Sequence, residues 1–162
     1  MYMCLCGDQM LNEDYKEMLQ GLLDQKVEFI VVGAYALAAH GFPRATGDID
    51  IWVKPDKNNS KKVYKALARF GAPINEIRED EFSQPGLIFQ IGVVPRRIDI
   101  ITKIDAVEFK EADLDKIFVD IDDLKVPVLS VDKLIKNKMA TGREKDLLDA
   151  KLLKKISPTL KH

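Results

Sequence analysis

The hexapeptide Asp48-Ile-Asp-Ile-Trp-Val53 alternates strictly between carboxylate and apolar residues. A period of two is the signature of a strand with one apolar face and one wet or functional face. Asp48 and Asp50, two residues apart, project from the same face. Asp is disfavoured in strands both by propensity and by the cost of burial, so a pair of them there needs a reason. A third carboxylate, Asp99, lies in Arg97-Ile-Asp-Ile-Ile101, again flanked by apolar residues on a predicted strand. If the two strands are neighbours, three carboxylates converge. Like charges raise one another's pKa, and a divalent cation relieves the repulsion. Trp52 is expected in the core, facing away from the aspartates.

Composition narrows the identity of such a cation. The 162 residues hold only two Cys and two His, too few for a zinc site of the usual type, which needs about four such ligands. Carboxylates point instead to hard ions such as Mg²⁺. The 25 basic and 26 acidic residues leave a net charge of −1, which argues against wholesale coating of nucleic acid. That balance conceals an asymmetry. Residues 1–123 hold 15 bases against 22 acids, and residues 124–162 hold 10 against 4. No apolar run is long enough for a transmembrane helix, and Met1 to Met10 has no signal-peptide pattern. Cys4 and Cys6 are too close in sequence to pair well and read as reduced thiols near a frayed terminus, so a cytoplasmic location is expected.

Hydrophobic periodicity predicts helices over 9–26, 34–40, 57–70, 105–111, 130–140 and 143–155. Strands are predicted over 28–32, 48–53, 87–93, 97–102, 117–121 and 125–129. The segment 72–86 is polar and reads as loop. The helix between the first two strands has about eight residues, too few for a comfortable parallel crossover. The fold class is therefore α/β (α+β): a small, mixed, twisted sheet with helices packed on one side. An N-terminal helix (1–26), a core (27–129) and C-terminal helices (130–162) are expected to form one compact domain.

Around the acidic strand the chain offers further candidates. Ile30-Val-Val-Gly-Ala-Tyr-Ala-Leu-Ala38 is a strand ending in Gly33 and opening a helix, where a phosphate can approach backbone N–H groups. Without the downstream carboxylates, Gly33 reads sooner as ordinary strand-to-helix punctuation. Arg44 lies in the loop before Asp48. Thr46 and Gly47 shape the turn into it. Lys138, Arg143 and Lys145 cluster around Thr141-Gly142. Arg143 stands at a helix start, where the macrodipole disfavours a cation, so a phosphate partner would explain it. Asp146 is placed to orient Arg143 through an i,i+3 contact. His40 reads as a helix C-terminal residue rather than a catalyst.

Read together, Gly33-Ala34, Asp48-Ile-Asp50 and Asp99 resemble the pattern of the nucleotidyltransferase superfamily, which includes DNA polymerase beta, kanamycin nucleotidyltransferase and the AbiEii-type toxins. The stretch from Val31 to Val53, and Leu134 to Asp146, look like its small bacterial AbiEii-like branch, and the resemblance covers residues 27–153. It implies the nucleotidyltransferase fold and a transfer of a nucleoside monophosphate from a nucleoside triphosphate, ATP among them, to an acceptor hydroxyl, with release of pyrophosphate. It implies two Mg²⁺ ions held by Asp48 and Asp50. Asp99 would bind the ion nearest the attacking hydroxyl, or take its proton. Gly33, Ala34, Tyr35, Arg44, Thr46, Lys138, Arg143 and Lys145 would bind the nucleotide. The acceptor expected is RNA or protein, as for a toxin, with a partner chain or a second copy of the chain as associates. Ala34 departs from the Gly-Gly or Gly-Ser pair and leaves no hydroxyl there. That slightly favours a rival expectation, a nucleotide-binding or toxin–antitoxin partner module of the same fold with little catalysis, whereas the retained acid triad favours the enzyme more.

Overall fold

A computed structural model describes residues 2–4 and 11–157. The elements run β1 (Tyr2–Cys4), α1 (Glu13–Asp24), β2 (Phe29–Val32), α2 (Gly33–Ala39), β3 (Asp48–Val53) and α3 (Lys57–Phe70). After them come β4 (Ile88–Ile91), β5 (Arg97–Ile101), α4 (Phe109–Asp115), β6 (Ile117–Ile121), β7 (Leu124–Val128), α5 (Val131–Thr141) and α6 (Glu144–Lys154). Local chemistry sets most boundaries. Asn12, Asp56 and Ser130 cap α1, α3 and α5 by accepting backbone N–H bonds, which satisfies donors left free at a helix start. Gly71 and Gly142 close α3 and α5 in the left-handed conformation.

The strands form one mixed seven-stranded sheet in the order β1-β6-β7-β2-β3-β5-β4. As the short intervening helix predicts, β2 and β3 are antiparallel. β4 and β5 form a hairpin whose turn closes with the Arg96 N–H donating to the Val93 carbonyl at 2.8 Å. β6 and β7 form another, turning at Asp122-Asp123, both with positive φ, a conformation Asp tolerates better than most residues. The decisive pairing is β3 with β5, parallel and in register: Asp48 lies beside Arg97, and Asp50 beside Asp99.

Several expectations need correction. Residues 2–4, expected to fray, form an edge strand parallel to β6; three residues are too few for periodicity to register. The expected start of the first helix at residue 9, and the Cys4 and Cys6 thiols, lie outside what is described. The helix expected at 105–111 begins later. Ala106 turns the chain at positive φ, and a capping box between Glu108 and Glu111 fixes the start of α4. The segment 72–86 is more ordered than a polar loop. It contains two 3₁₀ turns and is tied down by Ser60, whose hydroxyl donates to the Glu79 carbonyl and accepts from Phe82 N–H. Phe82 is fully buried there.

Trp52 is in the core, as expected, but on the opposite face from the one expected. Positions 48, 50 and 52 share parity, so Trp52 stands on the aspartate side of β3 while Ile49, Ile51 and Val53 fill the reverse. Phe109 of α4 meets the indole edge-on, with ring centroids 5.0 Å apart, and Trp52 is only 2% exposed. Aromatic cover thus ends the polar face one pleat beyond Asp50. Phe109→Ala should remove that cover and cost about 3–5 kcal/mol, read as a lower urea midpoint at unchanged m-value.

Candidate active site

Four side chains from two adjacent strands make a square on the sheet: Asp48 and Asp50 from β3, Arg97 and Asp99 from β5. Asp48, Asp50 and Asp99 each place a carboxylate oxygen within 4.8 Å of the others. Two oxygens on one hard cation are separated by at most about 5 Å, since each bond is about 2.0–2.6 Å. The donor set is all-oxygen and carries three negative charges against one positive. It fits a hard divalent ion in both spacing and chemistry.

Electrostatics point the same way. Burial, together with the charges of Asp48 and Asp99, pushes the Asp50 carboxyl up to about 7. Burial also raises Asp99, although Arg97 opposes that shift. Arg97, which sequence reasoning passes over, is the local counterion. Its Nε and one terminal nitrogen donate to the two oxygens of Asp99 at 3.0 and 3.2 Å, and the same nitrogen donates to Asp48 at 2.8 Å. Strand parity is the available signal, since Arg97 and Asp99 are two apart on an alternating strand. Thr46 donates to the other oxygen of Asp48 at 2.9 Å.

Gly33 is fixed by its neighbour. It sits at φ +71°, and a Cβ there would collide with Oδ2 of Asp50 and come within 3.2 Å of its Cγ. Gly47 is constrained similarly, because a Cβ would strike Val94 in the β4–β5 turn.

These residues floor a cleft of about 630 Å³ whose lining includes Gly33, Ala34, Arg44, Thr46, the three aspartates, Lys138, Arg143 and Lys145. Tyr35, expected among the nucleotide ligands, is not part of that lining. Its ring packs edge-on against Tyr15 at 5.6 Å, because the first turn of α2 directs it toward α1. Burial and the Asp48 charge keep its phenol above its ordinary value.

The far wall comes from α5 and α6. Buried Asp149, which sequence reasoning also misses, accepts from both terminal nitrogens of Arg44 and, at 3.2 Å, from Lys138. Lys138 also donates to Asp146 at 3.0 Å. Asp146 accepts from Thr141 and from Arg143 Nε, both at 2.7 Å, which is the i,i+3 contact expected. Burial pushes Asp146 up, but these donors more than offset it and hold it below its ordinary value. Arg143 stands just before the first residue of α6 rather than inside it, and its side chain makes no capping bond. Lys145 lines the cleft and makes no ion pair among the described residues. His40 ends α2, and its ring bonds the Leu129 carbonyl at 2.8 Å, away from the cleft.

A mixed sheet with carboxylates on neighbouring strands, beside a helix opened by Gly33, defines a nucleotidyltransferase fold. The crystal structure of a candidate nucleotidyltransferase from Thermotoga maritima shares it, with a TM-score of 0.57 and 18% identity over 91% of this chain and 94% of that one. The family model "Nucleotidyl transferase AbiEii toxin, Type IV TA system" matches residues 12–159. The chain belongs to that family. No curated protein matches it. Among the described residues, no helix is long and apolar enough to cross a membrane.

Two outcomes test this geometry. Gly33→Ala should cost at least about 2 kcal/mol through the left-handed backbone and the clash. An equal cost in an Asp50→Ala background would refute the contact. Separately, the folded Asp50 carboxyl is raised above its unfolded value of 3.8, so between about pH 4 and 7 the folded state binds the extra proton. Metal-free protein should therefore lose stability as pH rises through that window, by at most about 1.4 kcal/mol for each pH unit crossed. Urea midpoints at pH 5 and 7.5 should differ in the wild type and differ less in Asp50→Asn.

Proposed function

We propose that the protein is a Mg²⁺-dependent nucleotidyltransferase that moves a nucleoside monophosphate from a nucleoside triphosphate to an acceptor hydroxyl. The observation that carries this reading is the convergence of Asp48, Asp50 and Asp99 on one point of a cleft large enough for a nucleotide. Asp48 and Asp50 would hold the ions, with Asp99 contributing to the one nearer the acceptor. Bound there, Mg²⁺ supplies charge neutralisation for the phosphates and acidifies the attacking hydroxyl.

The chain's own residues divide the remaining work. Gly33 and Ala34 line the cleft, and their backbone N–H groups can receive phosphate oxygens without a side-chain hydroxyl. Lys138 and Arg44 are fixed by buried carboxylates, so they present charge from set positions. Arg143 and Lys145, at the start of α6, line the cleft and would receive the departing pyrophosphate. Asp99 accepts the acceptor proton as the oxygen attacks the α-phosphorus and the bond to the bridging oxygen breaks. Family membership favours a toxin-like role, with RNA or protein as acceptor and an antitoxin as the opposing partner.

The test is transfer of label from α-labelled nucleoside triphosphates, in Mg²⁺, to total RNA or to total protein, with pyrophosphate release followed in parallel. Asp48→Asn should lower both signals about 100-fold or more, the equivalent of at least about 2.7 kcal/mol of barrier. Nucleotide binding without pyrophosphate release from any triphosphate would overturn catalysis and leave a binding module.

A further inference from the structure

Arg97 bridges two of the three aspartates, Asp48 and Asp99. Its guanidinium forks onto both oxygens of Asp99 and reaches Asp48 with a nitrogen that already serves Asp99. Because it engages both oxygens of Asp99, any cation that Asp99 helps to hold would use an oxygen that Arg97 already bonds. In-register pairing puts Arg97 directly beside Asp48 and one pleat from Asp99, so the contact is built into the ladder and does not depend on a loop. The side chain remains 30% exposed, against 8% for that of Asp99, which leaves it an open side toward solvent. Arg44, Lys138 and Arg143 are held by other carboxylates, Asp146 and Asp149. Two positive charges cannot share one carboxylate pair at bonding distance without strong mutual repulsion.

We propose that Arg97 is an internal counter-cation: it holds Asp48 and Asp99 in their ligating arrangement when no metal is bound, and it must release them for the divalent ion to enter. This rests on the metal-dependent reading above. Arg97 is thus a positioning residue that sets the metal affinity and ties metal entry to a side-chain movement. Its removal should act in opposite directions on two quantities. Metal-free protein loses the cation that bridges the pair and becomes less stable. Metal-loaded protein no longer has a competitor.

The experiment uses the full chain, without nucleotide. Mn²⁺ binding is measured for wild type, Arg97→Gln and Arg97→Lys by the electron paramagnetic resonance signal of free Mn²⁺, beside melting temperatures with and without the ion. Arg97→Gln should bind Mn²⁺ about 10-fold or more tightly than wild type while melting lower without metal. Arg97→Lys, which keeps the charge and loses the fork, should bind more weakly than Arg97→Gln. A merely structural role would lower both stability and metal affinity. A second measurement needs no variant: the Nε–H resonance of Arg97 in ¹⁵N-labelled wild type should shift as Mg²⁺ saturates the protein. Metal binding with that resonance unmoved, or with Arg97→Gln no tighter than wild type, overturns the inference and leaves the ion site standing. Absence of metal binding in both proteins overturns the functional reading, and the inference with it.

Discussion

The parallel pairing of β3 with β5 is the constraint on which the site depends. Hydrogen bonds between these strands set Asp50 beside Asp99 and Asp48 beside Arg97, and strand spacing of about 4.8 Å does the rest. No loop has to be ordered to bring three carboxylates together. The apolar residues between them are buried: Ile49, Ile51, Ile98 and Ile100 are at most 1% exposed. The charged square is therefore held by a core that would be costly to shift. Burial raises the Asp50 carboxyl, the neighbouring charges of Asp48 and Asp99 add repulsion to it, and Arg97 supplies only part of the compensation.

The fold contains a second acidic cluster with a different balance. Asp146 and Asp149 are buried too, but Arg44, Lys138, Arg143 and Thr141 surround them. Breaking such a buried pair typically costs about 3–5 kcal/mol because the remaining charge is stranded. The open cluster on the sheet asks for a cation, and the closed one presents cations. The cleft lies between them, acidic on its floor and basic on its wall. Of the bases in residues 124–162, Lys138, Arg143 and Lys145 line that space with the aspartates of residues 1–123.

Much of this is legible in residue order, and the exceptions have physical causes. Asp48, Asp50 and Asp99 stand out because each breaks an apolar strand pattern. The antiparallel turn from β2 to β3 follows from the length of the helix between them. Trp52 misleads because its apolar character suggests the face opposite the aspartates; its parity with Asp50 fixes the true face, and the core here extends onto both. Arg97 carries the same parity as Asp99, yet a cation beside a hairpin reads as surface until the partner strand is known. Asp149 looks like helix polarity because its partner, Arg44, is 105 residues away. Tyr35 shares a short helix with Gly33 but not its direction, and no single-chain periodicity resolves a first helical turn. The start of α4 depends on the Glu108–Glu111 box, a local signal overshadowed by the apolar residues before it.

The contact between Gly47 and Val94 bears on how this chain can change length. Together with the Arg97 N–H, which donates to the Gly47 carbonyl at 3.2 Å, it ties the β4–β5 turn to the entrance of β3 and restricts how far the turn can shift to absorb an added or lost residue. A single insertion between Gly92 and Arg96 would have to be taken up in β5 itself. A slip of one residue there exchanges the two faces of a strand, sending Arg97 and Asp99 into the apolar layer and Ile98 into the cleft. The exposed residues 84–86, past the buried Phe82, lie outside that ladder. Insertions and deletions should therefore accumulate there and be purged from the turn between β4 and β5, although both are surface connections of the same sheet.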